Sequence, residues 1–341
     1  MRLKLPIHMK VHFKGTRGSV PIAPSSQEIS EKVVECLLAA RGKELRSEGQ
    51  IRDFVEKELP FHVGHSYGGN TSCVWIETGS DDYLIFDGGS GLYPLGKEIS
   101  QREETGKTFH IFFSHLHYDH VQGIPFFGPA YDPKNKIIFH GGHKTIEKAL
   151  KDQMNAPFFP VPFDSFNAEI SFKSHSPGDI INVCGTKISL YEQNHPGISY
   201  GYRIDQNDKS VVYSTDAEHP CQAHGKSYPF LDFIHGTDLL IFDAPYTHDQ
   251  SIGIRENWGH SSNVMGVELA ARGMVDTLAL FHHDPASSDR NLDDFLSHTI
   301  KFLDRSKLAV CETQPGIPGA PSERSHPYKV LVAYDGLTYE V

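Results

Sequence analysis

A segment of six residues places the strongest constraint on this chain, because it carries three imidazoles and one carboxylate directly after an apolar stretch. Residues 109–113 are apolar apart from one histidine, and this run predicts a buried strand. The side chains that follow it, in the pattern HxHxDH, are His115, His117, Asp119 and His120. A loop that leaves a strand end can direct these side chains to two neighbouring positions, which supplies about half of the N and O ligands that two divalent ions need. The alternative is a histidine-rich surface loop.

The HxHxDH pattern after a strand resembles the metallo-β-lactamase superfamily of metallohydrolases. The resemblance covers residues 11–22 and 67–341, and it implies a single α/β (α+β) domain over residues 1–341, built as a four-layer αββα sandwich. The order of predicted elements agrees, since strands outnumber helices and two sheets covered by outer helices is the natural packing. The helical spacing of apolar residues within 25–60 predicts a helical hairpin inserted into this framework.

Three further candidate ligands stand at the ends of later predicted strands, and they are His195, Asp216 and His282. Taken alone, each is a weak signal, since a strand-end aspartate is more often a turn residue. By resemblance, one ion is held by His115, His117 and His195, the other is held by Asp119, His120 and His282, and Asp216 bridges both. His283 is the alternative to His282, because alternation along a strand turns the two side chains to opposite sides. The family usually uses the first histidine, which is His282.

A second motif narrows the branch of the family. Residues 258–262, Trp-Gly-His-Ser-Ser, come just before a helix predicted over 261–272. They resemble the GHS motif of the branch that contains tRNA 3′-processing endonuclease Z and phosphoribosyl cyclic phosphodiesterases, in which this histidine, here His260, is the general acid. The chemistry also stands by itself, because phosphodiester cleavage needs a proton for the leaving oxygen and histidine supplies one near neutral pH. The alternative is that His260 only caps the helix.

The resemblance implies a dinuclear metal-dependent phosphodiesterase that acts on a small cyclic nucleotide or cyclic phosphate. In the mechanism that the resemblance implies, a hydroxide shared by the ions would attack phosphorus. Asp119 would ligate one ion and orient the nucleophile or accept its proton, and His260 would protonate the leaving oxygen. One alternative is an endoribonuclease of the tRNA-processing type, although the sequence shows no Gly- or Lys-rich arm for gripping tRNA. Others are a lactonase, a thioesterase or an aryl sulfatase, since a fold does not determine a substrate. A diiron oxygen-reducing protein is disfavoured, because that branch carries glutamate where this chain has His117.

Composition indicates which ions and partners to expect. The 341 residues include 21 His but only five scattered Cys, so imidazole and carboxylate rather than thiolate would bind the metal. Zn²⁺ is the expected ion, with Mn²⁺ or Fe²⁺ as alternatives. The net charge of −11 argues against broad capture of nucleic acid. The partner that the resemblance implies is a small-molecule phosphodiester.

Further expectations concern location and packing. No apolar stretch approaches the roughly 20 residues that span a bilayer, and no signal peptide is evident, so we expect a cytoplasmic protein without membrane contact. The apolar stripe of residues 29–38 and 51–59 must be buried, either as a lid on the active site or as a homodimer contact. Two strands predicted over 330–333 and 337–341 form a C-terminal hairpin, and 314–327 is expected to be a surface loop.

Overall fold

Two seven-stranded β-sheets packed face to face form the centre of the molecule. The structure is a computed structural model, and the residues that it describes are 9–102, 104–220, 227–247, 257–313, 327 and 329–341. For residues 306–313 it describes the backbone alone. The surface loop expected over 314–327 lies outside the described residues, apart from Pro327.

The first sheet contains both antiparallel and parallel pairs of strands. Its strands are β1 (Lys10–Gly15), β2 (Cys73–Glu77), β3 (Tyr83–Phe86), β4 (Thr108–Phe113), β5 (Lys136–Gly141), β6 (Glu169–Ser174) and β14 (Thr338–Glu340). Their order across the sheet is β14-β1-β2-β3-β4-β5-β6. Strands β3 to β6 are parallel neighbours, so the carboxyl end of β4 lies beside those of its neighbours.

The second sheet brings the ends of several strands to one edge. Its strands are β7 (Ile180–Val183), β8 (Thr186–Gln193), β9 (Ser199–Gln206), β10 (Lys209–Ser214), β11 (Leu239–Asp243), β12 (Thr277–Phe281) and β13 (Lys329–Val332). Their order is β13-β12-β11-β10-β9-β8-β7. Strands β10 to β13 are parallel, and β9 is antiparallel to both β8 and β10. The carboxyl ends of β8, β10, β11 and β12 therefore meet at the same edge.

Helices cover the outer faces of both sheets. They are α1 (Ser26–Ala40), α2 (Glu48–Lys57), α3 (Phe61–Gly64), α4 (Leu92–Gln101), α5 (Tyr118–Val121), α6 (Ile146–Gln153), α7 (Pro229–Ile234), α8 (Asn263–Arg272) and α9 (Asp289–Thr313), with short 3₁₀ turns at Ile124–Phe126, Gly128–Tyr131 and Phe163–Ser165. Helices α4 and α6 pack on the first sheet, and α7, α8 and α9 pack on the second. This αββα layering confirms the predicted fold class. Among the helices of the described chain, none combines the length and the apolar content needed to cross a bilayer.

Strand β4 is buried on both faces, which explains why its sequence is almost continuously apolar. Ile111 and Phe113 belong to the core under the outer helices, whereas Phe112 belongs to the core between the sheets. Phe112 contacts Tyr202 of the opposite sheet, with ring centroids 5.4 Å apart. Because both faces are packed, the strand provides a rigid base for the loop that begins at Ser114.

Helices α1 and α2 lie where the sequence predicts a helical hairpin. Ser25 caps α1 and Ser47 caps α2, and in each case the residue three positions later completes the capping box. The apolar face of α1, however, is not buried within the described chain, since the five large aliphatic side chains of this helix, Ile29, Val33, Val34, Leu37 and Leu38, are each more than half exposed. Its contacts are with α3 and the start of α9. The helix is therefore not packed as a lid on the active site, and the homodimer contact stays a prediction.

The predicted C-terminal hairpin is wrong, because its two strands belong to different sheets. Strand β13 pairs with β12 in the second sheet, whereas β14 pairs with β1 in the first. Between them, the carboxylate of Asp335 accepts backbone N–H groups from Gly69 at 3.1 Å and Asn70 at 2.9 Å. Gly336 follows with φ of 94°, a left-handed conformation that glycine adopts readily. The turn therefore carries the chain across the sandwich instead of reversing it within one sheet.

Candidate active site

All seven predicted metal ligands lie together at the edge of the sandwich where these strands end. In chain order they are His115, His117, Asp119, His120, His195, Asp216 and His282. The first four follow β4 and continue into α5, and the others follow β8, β10 and β12. Six of them are less than 10% exposed, whereas His117 is exposed to solvent. The cluster is thus buried in the protein and open on the side of His117.

The first group of ligand atoms consists of three imidazoles. Nδ1 of His117 lies 2.8 Å from Nε2 of His115 and 3.3 Å from Nε2 of His195. The other ring nitrogen of His195 donates to the backbone oxygen of Gly259 at 2.9 Å, which aims its Nε2 lone pair into the group. Burial lowers the pKa of all three histidines, because it disfavours the charged form. They are therefore neutral near pH 7, which is the form that binds a metal ion.

The second group combines one carboxylate with two imidazoles. Oδ2 of Asp119 lies 3.2 Å from Nε2 of His120 and 3.1 Å from Nε2 of His282. Burial disfavours charge on both rings, but the surrounding carboxylates outweigh it and raise the pKa of His120 well above its usual value and that of His282 to about 10. Burial raises the pKa of Asp119, but His120 and His282 outweigh it and hold that pKa far below its usual value. The carboxylates thus favour positive charge at this position, which a divalent ion supplies when the imidazoles are deprotonated.

Asp216 lies between the two groups. Its Oδ2 is 3.7 Å from Nε2 of both His115 and His195, whereas its Oδ1 is 3.2 Å from Nε2 of His120 and 3.3 Å from Nε2 of His282. The fully buried Nε2 of His120 makes no hydrogen bond despite these short distances, so the ligand atoms converge on a shared centre. A carboxylate that offers one oxygen to each group suits a bridge between two divalent ions, and the donor set fits such ions.

Asp87 contacts the ring nitrogen of His120 that faces away from the cluster and so orients this ring. The sequence analysis did not predict this role. Nδ1 of His120 donates to Oδ2 of Asp87 at 2.8 Å, which leaves Nε2 facing the cluster. The same carboxylate accepts the hydroxyl groups of Ser114 at 2.7 Å and Tyr213 at 2.8 Å. The sequence signal is an aspartate directly after β3 that is followed by glycines, a pattern typical of a turn. A carboxylate at this depth, with these donors, is part of the metal site's support.

We expect Asp87→Asn to weaken metal binding by about 10–100-fold, the range found when the hydrogen-bond partner of a metal-ligating histidine is removed. The amide lacks the negative charge that fixes the tautomer of His120. Competition with a chromophoric chelator measures the affinity. Asp81→Asn is the matched control, because this carboxylate is fully exposed and the substitution should leave the affinity unchanged. Equal affinities for the two variants would show that His120 needs no such orientation.

Asp243, at the end of β11, joins His260 to the cluster. Its Oδ2 lies 3.1 Å from Nδ1 of His260, and its Oδ1 lies 3.4 Å from Nδ1 of His282. Backbone N–H groups of Ala217 and Ser261 also donate to Oδ2, at 3.1 and 3.3 Å. Burial lowers the pKa of His260, but the charges of Asp243 and Asp216 outweigh it and raise that pKa above its usual value. Asp243 therefore favours the protonated form of His260, which is the form that a general acid requires.

His260 does not cap the helix that follows it. Helix α8 begins at Asn263, two residues later than predicted, and its N-cap is Ser262, whose hydroxyl accepts from the N–H of Met265 at 3.3 Å. The side chain of His260 instead stacks on His282, with ring centroids 5.0 Å apart. The helix-cap alternative for His260 is therefore wrong.

Of the two adjacent histidines after β12, His282 enters the cluster and His283 points away from it. Nε2 of His283 donates to the backbone oxygen of Ala333 at 2.7 Å, and the ring is 1% exposed. Burial and the charge of Arg17 lower the pKa of His283 to about 3, so the ring is a neutral packing group. The two side chains therefore have different surroundings, and His282 is the one that joins the cluster, as the sequence predicts.

The match to a family model agrees with this geometry. The model described as a beta-lactamase superfamily domain matches residues 84–283, a range that contains every residue of the cluster and His260. The chain belongs to the beta-lactamase superfamily and is a metal-dependent hydrolase of that fold. The superfamily implies divalent metal ions, in agreement with the grouped histidines and aspartates.

One relative and two solved structures are similar to this chain. Ribonuclease Z of Haloarcula marismortui is 24% identical over 279 residues, which are 66% of this chain and 85% of that protein. The metallo-beta-lactamase fold protein YhfI from Bacillus subtilis has a TM-score of 0.62 at 17% identity and covers 98% of this chain and 99% of its own. Unliganded yeast PDE1 has a TM-score of 0.60 at 12% identity, with 98% and 100% covered. At these identities the two structures show the fold alone.

Proposed function

We propose that this enzyme hydrolyses a small phosphodiester, of the cyclic nucleotide or cyclic phosphate class, with His260 as the general acid. The observation that carries the proposal is the position of His260, 3.1 Å from the carboxylate of Asp243 and stacked on His282 of the metal-ligand cluster. The carboxylate of Asp243 raises the pKa of this imidazole and so favours its protonated form. A protonated donor beside such a cluster is what the alkoxide leaving group of a phosphodiester needs.

The proposed ligand assignment follows the two groups. His115, His117 and His195 would hold one ion, Asp119, His120 and His282 would hold the other, and Asp216 would bridge them. When bound, the ions would polarise the phosphoryl oxygens and lower the pKa of the attacking water. We propose Zn²⁺, because a site of three neutral imidazoles suits it, and the same N and O donors accept Mn²⁺ or Fe²⁺.

Asp119 is the residue that we propose orients the attacking water in addition to binding metal. Its carboxylate is fixed by the backbone N–H of Ser19, which donates to Oδ2 at 2.7 Å. Ser19 has φ of 60°, so a left-handed backbone conformation aims this N–H group at the carboxylate. A carboxylate fixed in this way can accept a hydrogen bond from water without changing its own orientation.

Ribonuclease activity is the second candidate, because the Haloarcula relative is named ribonuclease Z. Charge disfavours a large RNA substrate, since the net charge of −11 opposes capture of a phosphate backbone. Parallel assays with a cyclic nucleotide and a precursor tRNA discriminate the two functions. Cleavage of the tRNA, with no turnover of the cyclic nucleotide, would favour the ribonuclease.

We expect the zinc-loaded protein to hydrolyse bis-p-nitrophenyl phosphate, a generic phosphodiester, and to lose this activity when a chelator removes the metal. The absorbance of the released nitrophenolate measures the activity. A lactone and a thioester serve as comparison substrates. Efficient cleavage of either one, together with no cleavage of any phosphodiester, would replace the proposal with a different hydrolase chemistry.

A further inference from the structure

A cavity of about 230 Å³ lies beside the metal-ligand cluster. We call it the lateral cavity. On the side of the cluster it is lined by the rings of His260 and His282, and the rest of its lining includes Pro245, Tyr246, Trp258 and Pro285. The cavity therefore adjoins both the proposed general acid and one proposed metal ligand. Phosphate chemistry alone gives no role to its aromatic side chains.

Two aromatic side chains give the lateral cavity its chemical character. Trp258 is 54% exposed, although tryptophan is highly buried on average, and it precedes His260 by two residues. Tyr246 meets the ring of His260 edge to face, with centroids 6.1 Å apart. Exposed aromatic faces near a phosphate-binding site are the usual means by which proteins hold unpaired bases, because every base has a π-face on which to stack.

We propose that the lateral cavity is a nucleobase subsite in which Trp258 stacks on the base of the substrate. This inference rests on the proposed function and narrows the substrate class to phosphodiesters that carry a nucleobase. Because His260 protonates the leaving oxygen, the group attached to that oxygen lies on the His260 side of the phosphate, where the cavity is. Its volume is below the roughly 300–1,000 Å³ of pockets for drug-sized ligands, which suits one planar base.

Tryptophan fluorescence tests the subsite without relying on turnover. The chain has two tryptophans, and Trp75 is 6% exposed in the core, so quenching by a bound base reports on Trp258. The zinc-loaded protein is titrated with adenosine monophosphate and, as the control, with ribose 5-phosphate. We expect adenosine monophosphate, but not ribose 5-phosphate, to quench the tryptophan fluorescence in a saturable manner. This quenching should be lost in Trp258→Phe. Calorimetry should show nucleotide binding about tenfold weaker in Trp258→Ala than in Trp258→Phe, since phenylalanine retains a stacking face.

Kinetics provide the second measurement. In Trp258→Ala we expect the KM for adenosine 3′,5′-cyclic monophosphate to rise about tenfold with kcat unchanged, and the KM for the same cyclic ester without a base to stay constant. Equal quenching by nucleotide and ribose phosphate, or equal KM changes for both esters, would overturn the subsite. Base-dependent quenching without hydrolysis of any phosphodiester would retain the subsite and refute the proposed function. Hydrolysis of a phosphodiester without base-dependent quenching would support the proposed function and overturn the subsite.

Discussion

Asp216→Ala is expected to abolish phosphodiester hydrolysis and to reduce the metal content below two ions per chain. Its Oδ2 lies 3.7 Å from Nε2 of both His115 and His195. Its Oδ1 lies 3.2 Å from Nε2 of His120 and 3.3 Å from Nε2 of His282. Removing it takes a ligand from both proposed metal positions and leaves two positive ions without the negative charge between them. Elemental analysis of the reconstituted protein measures the metal, and bis-p-nitrophenyl phosphate measures the activity.

The matched control for Asp216 is Asp208→Ala, which removes an exposed carboxylate just before the same strand, β10. This variant should keep its metal content and its activity. Thermal unfolding with and without zinc separates loss of binding from loss of fold, because an ion that binds the native state raises the melting temperature. Two tightly held ions in Asp216→Ala, with normal turnover, would exclude the bridging role.

The second large effect is expected at His260. Its proposed task is to protonate the leaving oxygen, so His260→Ala should retain metal and fold while losing about 10²–10⁴-fold in turnover of a cyclic nucleotide. The loss should depend on the leaving group, because an alkoxide of the ribose ring needs a proton whereas p-nitrophenolate leaves readily without one. The ratio of kcat values for the cyclic nucleotide and bis-p-nitrophenyl phosphate is the measurement.

His235→Ala is the control for His260, since this histidine is exposed at the end of α7 and should have no effect on either substrate. Equal damage to both substrates in His260→Ala would indicate that His260 positions the phosphate rather than donating a proton. Loss of metal in His260→Ala would indicate that His260 is itself a metal ligand. Its Nδ1 lies 4.0 Å from Oδ2 of Asp216.

Short sequence patterns predict most of the metal-ligand cluster. The HxHxDH segment places four polar side chains directly after a strand that is buried on both faces, and such a strand leaves its following loop little freedom. His195, Asp216 and His282 were recognisable because each follows a strand of the second sheet. Their convergence required one further fact, which is that β8, β10 and β12 run in the same direction.

The supporting carboxylates were harder to predict, because their roles depend on partners that are distant along the chain. Asp87 contacts His120 over 33 residues and Tyr213 over 126 residues. The sequence around Asp87 shows only a strand end followed by glycines, a pattern that is typical of a turn. Asp243 directly contacts His260, and this contact arises from the packing of β11 beside the loop that precedes α8.

The C-terminal strands and α1 show where local patterns fail. A turn signal between two apolar runs predicts a reversal of the chain, yet it contains no information about which sheet each strand joins, and β13 and β14 join different sheets. Helical periodicity likewise predicts that α1 has an apolar face without predicting what covers it. Both questions depend on contacts between segments that are distant along the chain.

The sequence by itself determined the class of the fold, the residue types of the metal-ligand cluster and the candidate general acid, because these depend on short-range pattern and on the chemistry of individual side chains. The tertiary structure alone decided that Asp216 faces both ligand groups, that Asp87 and Asp243 stand behind His120 and His260, and that Trp258 borders a cavity beside them. The physical reason is that orientation, burial and shared hydrogen bonds arise only when distant segments pack against one another.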